Sequence, residues 1–280
     1  MNDAAGLQAA AWLGAHVQGL YATVSVLLVT VTLLGRYLLQ QTARPRTQVP
    51  PAALSSRMRL AMGCALVALS SAAFVWLAKE LLDGHALSAL DLAFTDAISR
   101  AVPDGVVQAA ALLTRLGDPA TLGGLGVAVG AALLLRRHAG LMLGWAVALV
   151  GNGVLNPALK QIFARLRPLH AAEGASATGF SFPSGHSSGT VVAFGMLAYL
   201  GLRLLPPRWH LPVLLAAVLL AFSVGVSRII LRVHYASDVA AGFASGTAWL
   251  AICVTGIEFR LWLRHRATRA QGDVQPASVK

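Results

Sequence analysis

The segment SFPSGHSSGTVVAFGMLAYLGL, residues 181–202, decides the fold because it joins a polar turn to an uncharged apolar run. Pro183 has no backbone N–H to donate, and Ser184 and Gly185 favour a turn or the start of a helix. The run that follows has the composition of a membrane-spanning helix, which needs roughly 20 apolar residues. His186 therefore stands where a membrane helix begins, and an ionisable side chain in that position indicates a functional site.

The whole chain has the composition of a membrane protein. Of its 280 residues, 56% are hydrophobic and only 12% are charged, and its mean hydropathy is +0.67. Soluble domains carry about 25% charged residues. Seven apolar stretches are long enough, or nearly so, to cross a bilayer: 19–39, 60–78, 119–135, 140–159, 187–204, 211–228 and 238–259. We therefore predict an all-α, polytopic membrane helical bundle, in which the short, glycine-rich 119–135 stretch is the weakest span.

A proline-rich, basic linker at residues 40–59 follows the first predicted span. Such a segment is typical of a boundary between structural units. We predict an N-terminal accessory transmembrane helix with its linker (1–55), a six-helix membrane domain (56–262) and a polar C-terminal tail (263–280). The helix at 19–39 is thus additional to a six-helix core.

The segment 79–118 is long for a loop. Within it, four apolar residues recur at helical spacing: Leu87, Leu90, Phe94 and Ile98. Asp91 and Asp96 stand among them. The pattern favours a short amphipathic helix on the membrane surface, and an ordinary polar loop fits the segment equally well.

Basic residues are distributed unevenly over the alternating loops. One set of loops, with the C-terminal tail, carries 14 of the 22 basic residues and two of the 11 acidic ones. The other set carries eight basic and nine acidic residues. The positive-inside rule therefore predicts that the first set is cytoplasmic, with the N-terminus outside and the C-terminus inside. Because the charges are scattered rather than gathered on one face, nucleic acid is not an expected partner.

Three polar groups lie at the predicted outer ends of the spans. They are KQIFARLRP (160–168), PSGH (183–186) and SRIILRVHYASD (227–238). Their cations Lys160, Arg167 and Arg228 would repel one another unless an anion lay between them. A guanidinium matches phosphate oxygens, and Ser184 and Gly185 can offer a hydroxyl and a backbone N–H at a helix start. We predict that these five residues bind a phosphate group.

Two histidines complete this group of residues. His234 and Asp238 are four residues apart and would share one face of a helix. A carboxylate bonded to one ring nitrogen leaves the other nitrogen free to attack. His186 stands apart and can act as a general acid toward a leaving alkoxide. A metal site is disfavoured, because only these three residues could be ligands and the nearby cations would repel the ion.

Each of these residues alone has an ordinary explanation, such as solvation at the interface or a contact on a helix surface. Together they resemble the tripartite signature of the type 2 phosphatidic acid phosphatase superfamily, Lys-x6-Arg-Pro, Pro-Ser-Gly-His and Ser-Arg-x5-His-x3-Asp. All eleven specified positions are present between Lys160 and Asp238. The resemblance implies a six-helix phosphatase core that hydrolyses lipid phosphomonoesters or diphosphates with no metal or other cofactor. It also implies that His234 is the nucleophile that forms a phospho-histidine, oriented by Asp238, and that His186 is the acid.

The same resemblance implies phosphate binding by five residues: Lys160, Arg167, Ser184, Gly185 and Arg228. Three further motif residues are expected to support the site: Pro168, Pro183 and Ser227. The soluble haloperoxidases share this pattern of site residues, but the membrane spans argue against that branch. The presence of His234, Asp238 and His186 together argues against the alternative function, a non-catalytic lipid-phosphate binding or transport protein.

The expected partners are the bilayer and a membrane lipid phosphate. Phosphatidic acid, phosphatidylglycerol phosphate and an undecaprenyl diphosphate all remain candidate substrates. The charge distribution predicts that the motifs face outward and that the C-terminus lies in the cytoplasm. The short loops favour a bacterial protein, for which the membrane would be the inner one and the outer face periplasmic or extracellular.

Overall fold

The computed structural model describes residues 3–42, 56–169, 171 and 178–272. Those residues form α-helices joined by short turns, and no strand occurs among them. The ten helices are α1 (Asp3–Ala15), α2 (Val17–Thr42), α3 (Ser56–Asp83), α4 (His85–Ala101), α5 (Asp104–Leu113), α6 (Pro119–Leu135), α7 (Ala139–Phe163), α8 (Gly185–Leu204), α9 (His210–Ile230) and α10 (Ala236–Gly272). Single 3₁₀ turns at Thr114–Gly117 and Pro207–Trp209 precede α6 and α9. The predicted all-α fold is confirmed.

Six of the described helices are long and apolar enough to cross a membrane: α2, α3, α7, α8, α9 and α10. The predicted 119–135 stretch coincides with α6, whose 17 residues do not qualify alone. α6 qualifies only together with the preceding segment Asp104–Gly117, from which it is bent by 42°. The sequence therefore identified the spans and also the one that departs from a simple crossing.

The N-terminal region contains one more helix than the sequence predicted. The predicted span at 19–39 is α2, which packs along α9 and whose Tyr21 hydroxyl lies 2.8 Å from the Ser223 hydroxyl. α1 was missed, and it packs closely on α4. A methyl group added at Gly14 would lie 2.4 Å from the Phe94 carbonyl oxygen. The close contact explains why a residue without a side chain is needed there.

The segment 79–118 is helical, so the polar-loop interpretation is wrong and the predicted helix is α4. Ile98 on its apolar face is 1% exposed and packs with Val17 and Val239. Asp91, four residues after Leu87, is also buried. α4 thus lies against the helices of the bundle through both apolar and ionic contacts.

α8 forms the centre of the bundle, between α7, α9 and α10. Small residues let α10 approach it: a methyl group at Gly242 would lie 2.6 Å from the Ser184 carbonyl oxygen. At Gly246 it would lie 2.8 Å from the Ser188 Cα. Residues without side chains at these two positions therefore allow the close approach of the helices. α10 also continues to Gly272, beyond the predicted domain boundary at 262.

Most of the predicted linker, 43–55, and the last residues of the tail, 273–280, lie outside the described residues. The four central helices alternate in direction, so the C-terminal ends of α7 and α9 meet the N-terminal ends of α8 and α10. All three sequence motifs occupy that end of the bundle.

Candidate active site

His234 lies in the turn between α9 and α10, not on a helix as the spacing suggested. Its ring is 2% exposed, and its Nδ1 is 3.4 Å from Asp238 Oδ2 in the first turn of α10. This separation is long for a hydrogen bond. Asp238 Oδ2 also accepts a hydrogen bond of 2.9 Å from the Tyr235 backbone N–H. The carboxylate therefore fixes both the histidine ring and the turn that carries it.

The other ring nitrogen of His234 faces Arg167. Nε2 lies 3.1 Å from Arg167 Nη1. A guanidinium only donates hydrogen bonds, so Nε2 must be the acceptor and the ring proton resides on Nδ1. Burial lowers the pKa of His234 to about 4, although Asp238 acts in the opposite direction. The ring is therefore neutral at physiological pH, with its lone pair on Nε2.

The remaining N–H groups of Arg167 donate to backbone carbonyls. Nε donates to the Gly179 carbonyl at 2.9 Å, and Nη1 to the Val233 carbonyl at 2.7 Å. Nη2 donates to the carbonyls of Thr178 and Phe180 at 3.1 and 3.2 Å. With the contact to His234, these bonds occupy all five N–H groups of the guanidinium. In this structure Arg167 orients the histidine and the 178–180 segment, and its predicted phosphate contact would require an exchange of partners.

Behind the histidine lies a buried ionic network that the sequence analysis missed. Arg165 Nη1 lies 2.7 Å from Asp238 Oδ1, and its Nη2 lies 2.8 Å from Asp91 Oδ2 on α4. Arg165 Nη1 also donates to the Ser237 hydroxyl at 2.7 Å, and Ser237 in turn donates to Asp91. Burial alone would lower the pKa of Arg165, but the two carboxylates outweigh it and raise that pKa. Arg165 stays charged and ties Asp238 to α4.

The N-terminus of α8 carries the second motif. Ser184 is the N-cap residue, is fully buried, and its hydroxyl accepts from Ser187 N–H at 3.4 Å. His186 in the first turn is paired with Asp118, with 2.9 Å between Nε2 and Oδ1. The carboxylate therefore orients the His186 ring at the start of α8. Gly185 packs against Asn156, so a methyl group there would lie 2.9 Å from the Asn156 amide oxygen.

Two further cations approach from α7 and α9. Lys160 Nζ donates to the Phe180 carbonyl at 2.7 Å. Arg228 is 6% exposed, and its Nη1 donates to the Thr114 hydroxyl at 2.8 Å. Its Nε is buried and has no hydrogen-bond partner among the described residues. A buried charged donor without a partner is costly, and a bound anion would satisfy it.

The three residues predicted to support the site occupy structural positions beside it. Pro183 is fully buried, and its carbonyl lies 3.5 Å from the Asn156 side-chain nitrogen. Ser227 is 1% exposed, and its hydroxyl donates to the Val224 carbonyl. Pro168 follows Arg167 and is partly buried.

One cavity of about 680 Å³ connects these groups. Its polar end is formed by Lys160, Arg167, Gly185, His186, Arg228 and His234. Ser184 and Asp238 do not line it, because both are buried behind that wall. The cavity continues along α7 as far as Leu149, about 16 Å from Lys160 at 1.5 Å per residue. The site is therefore a charged chamber that opens into an apolar channel.

The comparisons with known proteins agree with this arrangement. A family model described as the PAP2 superfamily matches residues 139–262, a segment that contains all three motifs. The lipid A 1-phosphatase of Rhizobium etli is 32% identical, and the match covers 54% of this chain and 70% of that protein. The chain belongs to the PAP2 superfamily.

Other PAP2 relatives point the same way. Phosphatidylglycerophosphatase B of Bacillus subtilis is 33% identical over 48% of this chain and 66% of its own length. A crystal structure described as the first transmembrane PAP2 type phosphatidylglycerolphosphate phosphatase from Bacillus subtilis resembles this fold with a TM-score of 0.63. That match has 28% identity and covers 67% of this chain and 93% of the other. These relatives are phosphatases by name, and the chain is an integral membrane member of the PAP2 superfamily.

Four residues at the site were not predicted to belong to it: Thr114, Asp118 and Arg165 contact motif residues, and Asp91 contacts Arg165. Arg165 lies inside the first motif segment, which is the one signal that could have singled it out. The other three come from the 79–118 region, outside the PAP2 match. Their spacing from the motifs carries no information, since only the packing of α4 and the turn before α6 brings them to the site.

Proposed function

We propose that this protein is an integral membrane phosphatase that hydrolyses lipid phosphomonoesters or diphosphates through a phospho-histidine intermediate. The observation that carries the proposal is the polar end of the cavity. His234, the acid candidate His186 and Arg228, whose Nε has no partner among the described residues, all line this chamber. A phosphate group would meet a nucleophile, a proton donor and a positive field there.

In the proposed reaction, phosphate oxygens are held by Lys160, Arg228 and the backbone N–H of Gly185 at the N-terminus of α8. They also replace His234 as the partner of Arg167 Nη1, which frees Nε2. The Nε2 lone pair attacks phosphorus, and the bond from phosphorus to the lipid oxygen breaks. Developing positive charge on the ring is stabilised by Asp238 across Nδ1.

His186 supplies the proton that the leaving alkoxide needs. Asp118 Oδ1 lies 2.9 Å from its Nε2 and orients the ring beside the chamber. In the second half, water attacks the phospho-histidine and gives its proton back to His186. Inorganic phosphate leaves, and His234 returns to its neutral state. No metal ion takes part, because the cations around the chamber already neutralise the phosphate and would repel an added cation.

Phosphate release from detergent-purified protein tests the proposal. The panel contains phosphatidic acid, phosphatidylglycerol phosphate and a polyprenyl diphosphate, each with EDTA present. We expect turnover of at least one lipid, unchanged by EDTA, and inhibition by vanadate, which can adopt the pentacoordinate geometry of the transferring phosphoryl group. Loss of activity in EDTA that is restored by a divalent ion would refute the metal-free mechanism.

The His234→Ala variant separates catalysis from binding. It removes the nucleophile but leaves the cations, so it should retain lipid-phosphate binding and lose turnover. Near-wild-type turnover in this variant would refute the phospho-histidine mechanism. Wild-type protein that binds lipid phosphates but releases no phosphate would instead support the alternative, a non-catalytic binding or transport protein.

We also propose that the site faces the periplasm or the extracellular medium, as the charge distribution predicts. Single cysteines at Ala4, Ala175 and Gln271, in a background without Cys64 and Cys253, test this orientation. In intact cells a membrane-impermeant maleimide should label the first two positions and reach the third only after lysis. The reverse pattern would place the motifs in the cytoplasm. Protection of Ala4 alone would mean that the accessory helix does not cross.

A further inference from the structure

One polar side chain in the cavity has no function in the proposed chemistry. Asn152 on α7 lines the cavity and is 8% exposed. It precedes Asn156 by one turn and Lys160 by two turns, so the three lie on one face of the helix. The Asn156 amide lies 3.2 Å from the Ser188 hydroxyl. No side-chain hydrogen bond joins Asn152 to any other residue that the structure describes.

The apolar surroundings of Asn152 make its lack of a hydrogen-bond partner unusual. The channel wall next to Asn152 is apolar and includes Leu122, Leu149 and Val192. A buried amide without a partner costs free energy comparable to a lost hydrogen bond, and hydrocarbon cannot supply that partner. Asn152 is thus well matched to a ligand that carries a polar group at that depth.

The position of Asn152 in the channel can be compared with the position expected for the phosphate group. Asn152 and Lys160 are separated by eight residues, or about 12 Å along the helix axis. Both side chains lean toward the helix N-terminus, so the axial separation of their polar ends is of the same order. In an acyl lipid phosphate the first carbonyl oxygens lie only a few bonds from phosphorus. In a polyprenyl diphosphate the second phosphate lies nearer to the first than an acyl carbonyl would, and the depth of that carbonyl contains only hydrocarbon.

We propose that Asn152 donates a hydrogen bond to an acyl carbonyl of the substrate, and that the enzyme acts on acylated lipid phosphates in preference to polyprenyl diphosphates. This inference rests on the proposed function and adds the substrate class. The carbonyl can belong to an ester, as in a glycerophospholipid, or to an amide, as in an acylated amino-sugar phosphate. Both present the same acceptor oxygen to the Asn152 amide nitrogen.

Matched short-chain substrates test the proposal with purified full-length protein. Dioctanoyl phosphatidic acid is compared with its dioctyl ether analogue, which lacks only the carbonyls. Farnesyl diphosphate and an N-acylated glucosamine 1-phosphate complete the set. Asn152→Leu removes the donor, Asn152→Gln keeps an amide, and Val154→Leu is the control on the exposed side of α7.

Wild type should favour the ester over the ether by about threefold to tenfold in kcat/KM, as expected for one hydrogen bond. Asn152→Leu should remove that preference and leave the ether and farnesyl activities unchanged. Asn152→Gln should retain part of the preference for the ester, and Val154→Leu should retain all of it. If kcat/KM for the glycerolipid depends on Asn152, the acceptor is an ester carbonyl. If kcat/KM for the amino-sugar phosphate depends on Asn152, the acceptor is an amide carbonyl.

Two results would overturn the inference. One is a wild-type enzyme that does not distinguish ester from ether, which needs no variant and so does not depend on folding of Asn152→Leu. The other is an equal loss in Asn152→Leu for ester, ether and farnesyl substrates. Neither result affects the proposed function, which would be refuted instead by a wild-type protein that releases phosphate from none of the lipids.

Discussion

Neutralising Asp91 should destabilise the protein and lower its activity, although Asp91 does not line the cavity. Asp91→Asn removes one partner of the ion pair with Arg165, whose side chains are 4% and 9% exposed. Breaking a buried pair by removal of one partner costs about 3–5 kcal/mol. The asparagine oxygen can still accept from the Ser237 N–H, now 3.2 Å from Asp91 Oδ1. We therefore expect a smaller loss, about 1.5–3 kcal/mol.

For a chain of this size the loss corresponds to a fall of about 3–12 °C in the melting temperature. The assay is thermal unfolding in detergent, combined with kcat and KM on a lipid substrate. Because Arg165 also holds Asp238, kcat should fall more than KM changes. Asp96→Asn, on an exposed face of the same helix, is the matched control and should shift the free energy of unfolding by no more than about 0.5 kcal/mol.

A double-mutant cycle makes the test sharper. Asp91→Asn and Arg165→Gln act on one contact, so the loss in the double variant should be smaller than the sum of the single losses. Equal melting temperatures for Asp91→Asn and Asp96→Asn would refute the reasoning. So would additive losses in the cycle, since they would show that the two residues act independently.

Three further outcomes are expected. Asp118→Asn should lower kcat on lipid substrates but much less on nitrophenyl phosphate, whose leaving group needs little protonation; equal losses in the two assays would contradict the acid assignment of His186. Arg167→Lys keeps the charge but cannot reproduce five N–H contacts, so kcat/KM should fall by at least about tenfold, and near-normal kinetics would show that charge alone suffices. The pKa of His234 is lowered to about 4 from 6.5, so its neutral ring stabilises the fold above pH 6.5 and this contribution is lost as the pH falls toward 4. Relative to His234→Asn in phosphate-free buffer, wild type should lose up to about 3 kcal/mol of unfolding free energy over that range, measured by chemical denaturation, whereas parallel curves would mean that the ring is not buried neutral.

The sequence alone determined the class of fold, the spans and the motif residues. Long apolar stretches must become helices in a membrane, since their backbone groups can be satisfied only within the segment. The 119–135 stretch was also recognisable as the weakest span, because it is short and rich in glycine. Successive spans alternate in direction, and the three motifs between Lys160 and Asp238 all lie at helix ends on one side. Their convergence could therefore be predicted without coordinates.

Only the tertiary structure decided how those residues are held. The i,i+4 spacing suggested that His234 and Asp238 share a helix face, but the histidine occupies the turn before α10. Three cations predicted for phosphate have different surroundings: Arg167 has every donor occupied, whereas Arg228 Nε has no partner among the described residues. Asp91 and Asp118 reach the site from segments far away in the chain. Local patterns specify helices and their ends, whereas contacts between distant segments depend on packing in three dimensions, which periodicity does not encode.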